Sequence, residues 1–205
     1  KSVLKTGKLT LEDIRNDQDW IKNTKQRNQD DTVESVNESN LSPEDKIESG
    51  FNELENSVKN DLLERVRSMD PYDFEIVVLK LLKSMGYGEF VETAKSGDGG
   101  IDGIINQDQL GLEKIYIQAK RYAEDHKVRE PLIRDFIGAM SGDTKKGVFV
   151  TTSAFDDSAV KKAKDAHHVI RLIDGNTLVD LMYKFNIGVQ SKAVYEIKKV
   201  DEDFF

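Results

Sequence analysis

Ile115-Tyr-Ile-Gln-Ala-Lys-Arg-Tyr122 opens as a buried strand and then sets an amide and an ammonium, Gln118 and Lys120, where its alternation asks for more core. Successive strand side chains point to opposite faces, so Ile115, Ile117 and Ala119 share one face and Tyr116, Gln118 and Lys120 the other. Gln118 and Lys120 are then neighbours, their Cα atoms roughly 6.6 Å apart at about 3.3 Å per residue. In a sheet with helices on both faces, each of these polar groups needs a partner.

Working outward, the run before it, Gly100-Ile-Asp-Gly-Ile-Ile105, also embeds a carboxylate, Asp102, among apolar residues. If the two runs pair, Asp102 lies beside Gln118 and Lys120. Upstream, Glu75 has Val78, Leu79 and Leu82 at helical spacing, which puts an acid on an apolar stripe. Oxygen-bearing side chains and an ammonium at core positions suit a hard divalent cation such as Mg²⁺. Asp102 is the principal candidate ligand, with Gln118 and the carbonyl of Ala119 as neutral oxygens and Glu75 for a second ion or a metal-bound water. Lys120 suits orientation of an attacking water or charge on a phosphate.

The bare spacing of an acid or amide two residues before a lysine carries little, since Glu44-Asp-Lys46, Asp143-Thr-Lys145 and Glu196-Ile-Lys198 share it. Only Gln118-Ala-Lys120 ends an apolar strand that follows an Asp-bearing one. The competing reading is a strand end emerging into solvent, with Asp102 in a turn and Glu75 satisfied by a backbone amide.

The surrounding pattern is α/β. Ser42-Pro-Glu-Asp45 has the form of a helix start, followed by Ile47, Phe51, Leu54, Val58 and Leu62 as one apolar stripe. Asp70-Pro71 restarts the pattern, which runs through Phe74, Val77, Val78, Leu81, Leu82 and Met85 to Gly86. Strands are predicted near 89–94, 101–106, 114–120, 146–152 and 169–173, and helices near 127–140, 157–166 and 175–184. Short connections between the early strands and helices between the later ones predict a mixed sheet flanked by helices.

Residues 26–40 hold almost no bulky apolar side chain and read as a linker. The expected organisation is an appendage and linker over 1–41, one domain over 42–190 and a tail over 191–205. The chain starts at Lys1 rather than Met, which suggests a piece of a longer protein with a domain upstream. No run of about 18 apolar residues and no signal peptide are readable, so a soluble, cytoplasmic protein is expected. The chain has no cysteine, and its three histidines fall in no zinc-binding spacing, so a zinc enzyme is not expected.

The net charge is −8, yet Lys114 to Arg171 holds twelve basic residues against eight acidic ones, a local +4. Arg121, Lys145, Lys146 and the hydroxyls of Thr151, Thr152 and Ser153 are candidate contacts to phosphate, the charges having a solvated helix face and the hydroxyls helix capping as their alternative roles. The glycine-rich Ser96-Gly-Asp-Gly-Gly100 lacks the order of a nucleotide loop and precedes a strand, so a tight turn or close approach of a ligand backbone is its expected role; Asp98 is expected as a solvated turn residue, with a further carboxylate for the site as the alternative.

With these residues in hand, the chain resembles the Mrr-type restriction endonuclease catalytic domain, a branch of the PD-(D/E)xK nuclease superfamily. The resemblance runs from about Ser42 to Val189 and includes LSPEDKIE, LLERV, the Phe74-Glu75 helix into KSMGYG, SGDGGIDG, IYIQAKRY, GVFVTTSAF and LIDG in that order. It implies a restriction-endonuclease-like fold, Mg²⁺-dependent cleavage of DNA with Mn²⁺ as a substitute, and Asp102, Gln118 and Lys120 as the catalytic trio with Glu75 contributing. Gln118 stands where the superfamily more often has an acid, one negative charge fewer at the metal. The family often carries an upstream winged-helix reader and many members restrict methylated DNA; residues 1–41 do not match that reader. Double-stranded DNA is the implied partner, with a homodimer or an assembly on DNA to cut both strands. A DNA-binding module with a silent metal site and a nuclease for junctions or flaps are the two rival readings.

Overall fold

The computed structural model describes residues 41–91, 103–108, 110–140 and 144–205. Asp102 and the Ser96–Gly100 loop lie outside them, as does residues 1–40.

Helix α1, Pro43–Ser68, starts where the sequence signals it. The Ser42 hydroxyl accepts from the Asp45 amide at 3.1 Å and donates to the Asp45 carboxylate at 2.7 Å, while the Ser42 amide donates back to that carboxylate. The Ser42 hydroxyl, then its amide, hold the Asp45 carboxyl below the usual range. Helix α2, Pro71–Ser84, is capped by Asp70, which accepts from the Tyr72 amide at 2.8 Å. It ends on Gly86, whose φ of 88° few other residues adopt cheaply.

Five strands follow, β1 Glu89–Val91, β2 Gly103–Asn106, β3 Lys114–Lys120, β4 Lys146–Thr151 and β5 Val169–Ile173, lying side by side in chain order. The first three are antiparallel. Helices α3, Glu130–Ala139, and α4, Asp157–Lys164, make the crossovers that leave β3, β4 and β5 parallel. Helix α5, Gly175–Lys184, closes the domain. The sheet is mixed and helix-flanked, as the patterning predicts.

Two apolar layers meet across it. Ile115, Ile117 and Ala119 pack with Val148, Val150 and the buried faces of α1, α2 and α5, including Leu62, Phe74, Val78 and Leu178. Tyr116 and Phe149 pack on the other side with Ile133 and Phe136 of α3 and Ala159 and Ala163 of α4. Fully burying such a side chain contributes about 1.5–3 kcal/mol. The β2–β3 turn sets the strand register: the Asp108 carboxylate accepts from the amides of Leu110, Leu112 and Glu113, which holds its pKa low, the Glu113 amide first. A slip of one residue there would turn Gln118 and Ile117 to each other's faces.

One expectation changes. The α1 stripe is buried only at Leu62, Leu63 and Val66; Phe51 and Leu54 are 50% and 66% exposed, and Ile47 and Val58 are exposed as well. The helix, 26 residues and about 39 Å long, overshoots the layer it packs on. Beyond α5, residues 190–201 have no regular structure and Glu202–Phe204 form one 3₁₀ turn; Tyr195 of this tail sets its ring edge-on to Phe51 at 6.1 Å.

Candidate active site

Strand β3 carries two of the candidate residues, Gln118 and Lys120. Gln118 is 5% exposed, beside Phe149 in the register, on the face that Tyr116 shares with α3 and α4. Lys120, half-buried, ends the strand opposite Thr151. Gln118 therefore stands inside the sheet's packed layer, and Lys120 at its partly exposed end. Gly103, the first residue of β2, pairs with Ile117, the residue before Gln118.

Glu75 is half-buried in the first turns of α2, whose Phe74, Val78 and Leu79 pack on the Ile117 and Ala119 face. Gln118 belongs to one layer and the Glu75 helix to the other. Glu75, Ala119 and Lys120 all engage other groups of the chain.

The three hydroxyls after β4 have a different task from either one expected. Thr151 donates to the Lys120 carbonyl at 2.9 Å, Thr152 to the Tyr122 carbonyl at 2.7 Å, and Ser153 to the Glu124 carbonyl at 3.1 Å. Thr152 also accepts from the Tyr122 amide at 2.8 Å. All three residues are buried, and Asp156, not they, caps α4. They clasp the segment leaving β3 to the end of β4, so their protons are committed to main-chain oxygens and not offered to a phosphate. Gly175 presses on the same segment: its amide donates to the Ser153 carbonyl at 2.8 Å, and a Cβ there would sit 2.5 Å from the Thr152 carbonyl oxygen.

Arg121 reaches back to the Arg67 carbonyl at the end of α1, 2.8 Å. Arg67 donates to the Thr152 carbonyl at 3.1 Å and pairs with Glu124 at 3.1 Å. These guanidinium groups tie the end of α1 to the clasp. Lys146 starts β4 opposite Ile115, five register positions or about 16 Å from Lys120, and its ammonium is held by Glu113 at 2.6 Å and Gln107 at 2.7 Å. Lys145, exposed, precedes it at that far end. Of the basic candidates, Arg121 adjoins Lys120, whereas Lys145 and Lys146 do not.

Sequence reasoning missed the loop after β3. Tyr122 and His126 stack with ring centroids 4.3 Å apart at 25°, and beside them lies a cavity of about 480 Å³ lined by Asp125, His126, Lys127, Arg129, Pro131 and Leu132. The signal was present as an aromatic and a histidine four residues apart, followed by basic residues in alternation.

Comparison with known proteins gives consistent results. A family model of the Mrr catalytic domain, described as a restriction endonuclease, matches residues 66–182. The type IV methyl-directed restriction enzyme EcoKMrr of Escherichia coli (strain K12) is 39% identical over 169 residues, which are 80% of this chain and 54% of that enzyme. The chain thus spans about half the length of this curated relative. Among solved structures, MspJI restriction endonuclease in complex with a 27-mer oligonucleotide superposes with a TM-score of 0.51 at 22% identity, over 76% of this chain and 35% of that one. The DNA modification-dependent restriction endonuclease AspBHI gives 0.54 at 25% identity, over 64% and 36%.

Proposed function

On the premise that the chain belongs to the Mrr catalytic-domain family of restriction endonucleases, we propose that it is a metal-dependent endonuclease that hydrolyses phosphodiester bonds of double-stranded DNA in restriction of foreign DNA. The observation that carries this reading is the buried Gln118 two residues before Lys120 on one face of β3, with β2 bringing the neighbour of Asp102 to the same level.

The donor set fits a hard cation. A carboxamide at Gln118 supplies a neutral oxygen, and Asp102 is the proposed source of the negative charge that such an ion needs. Asp102, Gln118 and the Ala119 carbonyl are the proposed ligands for Mg²⁺ or Mn²⁺, which when bound would polarise the phosphate and favour hydroxide over water. Lys120 directs its ammonium at the phosphate, where negative charge grows as the water oxygen bonds to phosphorus and the bond to the leaving sugar oxygen breaks. Ile117 and Ala119, packed into the opposite layer, keep the strand rigid and the Lys120 stem in place. Glu75 approaches from that opposite layer and suits a supporting role through a water. Cutting both strands requires two such sites, hence a dimer or an assembly on DNA.

Supercoiled plasmid with Mg²⁺ or Mn²⁺ tests the proposal. Cleavage that disappears in Lys120→Ala and in Asp102→Ala, with melting unchanged, supports it; undiminished cleavage by both purified variants overturns it. Salt-sensitive DNA binding without cleavage in either metal would favour a binding module with a silent site, and preference for branched DNA a structure-specific nuclease. The E. coli relative is named as methyl-directed. Matched methylated and unmethylated plasmids measure whether that preference resides in the part of the enzyme this chain spans.

A further inference from the structure

Resting on the nuclease reading above, we propose that the cavity beyond the carboxyl end of β3 is a second anion site, which grips a backbone phosphate of the bound DNA next to the one that is cut. Its place comes first. Residues 125–132 follow Lys120 closely, at the carboxyl end of the parallel β3–β4 pair, the end at which α/β sheets bind ligands.

Two cations are presented there side by side. Val128 is completely buried, and its main chain is pinned at both ends, its amide donating to the Ala154 carbonyl at 2.8 Å and its carbonyl accepting from the Asp156 amide at 3.0 Å. It bridges Phe155 in strand fashion. Alternation about an inward Val128 turns Lys127 and Arg129 outward together, their Cα atoms roughly 6.6 Å apart. Both are exposed, and neither side chain makes a hydrogen bond or close ion pair with the described residues, although the Arg129 charge acts on the nearby Asp156 carboxylate. Arg67, Arg121 and Lys146 on this same domain are all engaged.

The walls are fixed as well. His126 is stacked on Tyr122, which Thr152 clamps to β4, while Pro131 and Leu132 of the first turn of α3 close the other side. A guanidinium and an ammonium over a rigid cleft are the groups that recognise phosphate. Asp125 in the lining opposes a small free anion, so the ligand that fits is a polyanion held by its other phosphates as well.

The test measures binding apart from catalysis. In the Lys120→Ala background, a short fluorescein-labelled duplex is titrated by anisotropy at several salt concentrations. Replacing both Lys127 and Arg129 by Ala is expected to weaken binding about tenfold and to lower the slope of log affinity against log salt by about 0.9, the value of one phosphate contact. Lys199→Ala, in the exposed tail, should change neither. Should the Ala pair lower the melting temperature, Lys127→Gln with Arg129→Gln keeps the side-chain stems and is read in the same way. Unchanged affinity and slope in a folded double variant overturn the phosphate site while leaving the nuclease reading intact. Failure of the parent to bind DNA at any salt overturns both.

Discussion

The two ends of the β3–β4 pair carry comparable numbers of polar groups and use them in opposite ways. At the Lys114 end, the Lys146 ammonium is matched by Glu113 and Gln107, and Asp108 gathers three amides into a turn. That end is closed on itself. At the Lys120 end, Gln118 sits within the packed layer, and beyond the strand Lys127 and Arg129 face solvent without ion pairs among the described residues. Charge that is satisfied internally stabilises a fold, whereas charge held rigid and left open is free to meet a ligand.

The largest expected effect lies at the open end. Lys120→Ala should reduce plasmid cleavage by about two orders of magnitude or more, as removal of a group stabilising transition-state charge does, without moving the urea unfolding midpoint; cleavage and unfolding measured on one preparation separate the two. Next comes the clasp at that same end. Thr152→Val keeps the shape but leaves the Tyr122 amide and carbonyl without their partner, a loss of about 1–3 kcal/mol on urea unfolding. A smaller change would mean that water replaces the hydroxyl. At the closed end, Lys146→Ala removes a partly exposed pair and should lower stability by no more than about 1 kcal/mol, with no change in the salt dependence of DNA binding. A fall in that slope would erase the contrast between the ends.

The smallest effect is a pH dependence at the α4 cap. The Ser158 hydroxyl, then the Ala159 amide, hold the Asp156 carboxyl below its ordinary value of 3.8. A depressed carboxylate stabilises the fold fully above that unfolded value and loses its contribution as pH falls through the folded one. Asp156→Asn retains a cap without the titration, so its melting-temperature difference from the parent should narrow below about pH 4.

Much of this architecture was legible because its signals are local. Alternation through Ile115 to Lys120, the Ser42 and Asp70 caps and the Gly86 stop each depend on a few neighbouring residues, and strands and helices lie where those signals predict. The role of the Thr151–Ser153 hydroxyls was not legible, since a hydroxyl can donate to a phosphate or to a carbonyl thirty residues away and only the tertiary path decides. The exposed Phe51 and Leu54 show the same limit: a stripe states that a helix can be buried and not where its partner stops. The distance of Lys145 and Lys146 from Lys120 follows from strand direction. Lys145 precedes β4 and Lys146 opens it, and in a parallel pair the start of β4 lies beside the start of β3, away from Lys120.

Strand β3 is clamped like a beam at both supports, by the Asp108 turn at one end and by the Thr151–Ser153 hydroxyls at the other. Whatever is inserted after Glu124, the last residue clasped, transmits little displacement back to Gln118 and Lys120. The short stretch from Asp125 to Lys127, between that clasp and the pinned Val128, is thus a place where length and sequence can drift over evolutionary time, or be exchanged by design, without retuning the residues proposed to cut nucleic acid.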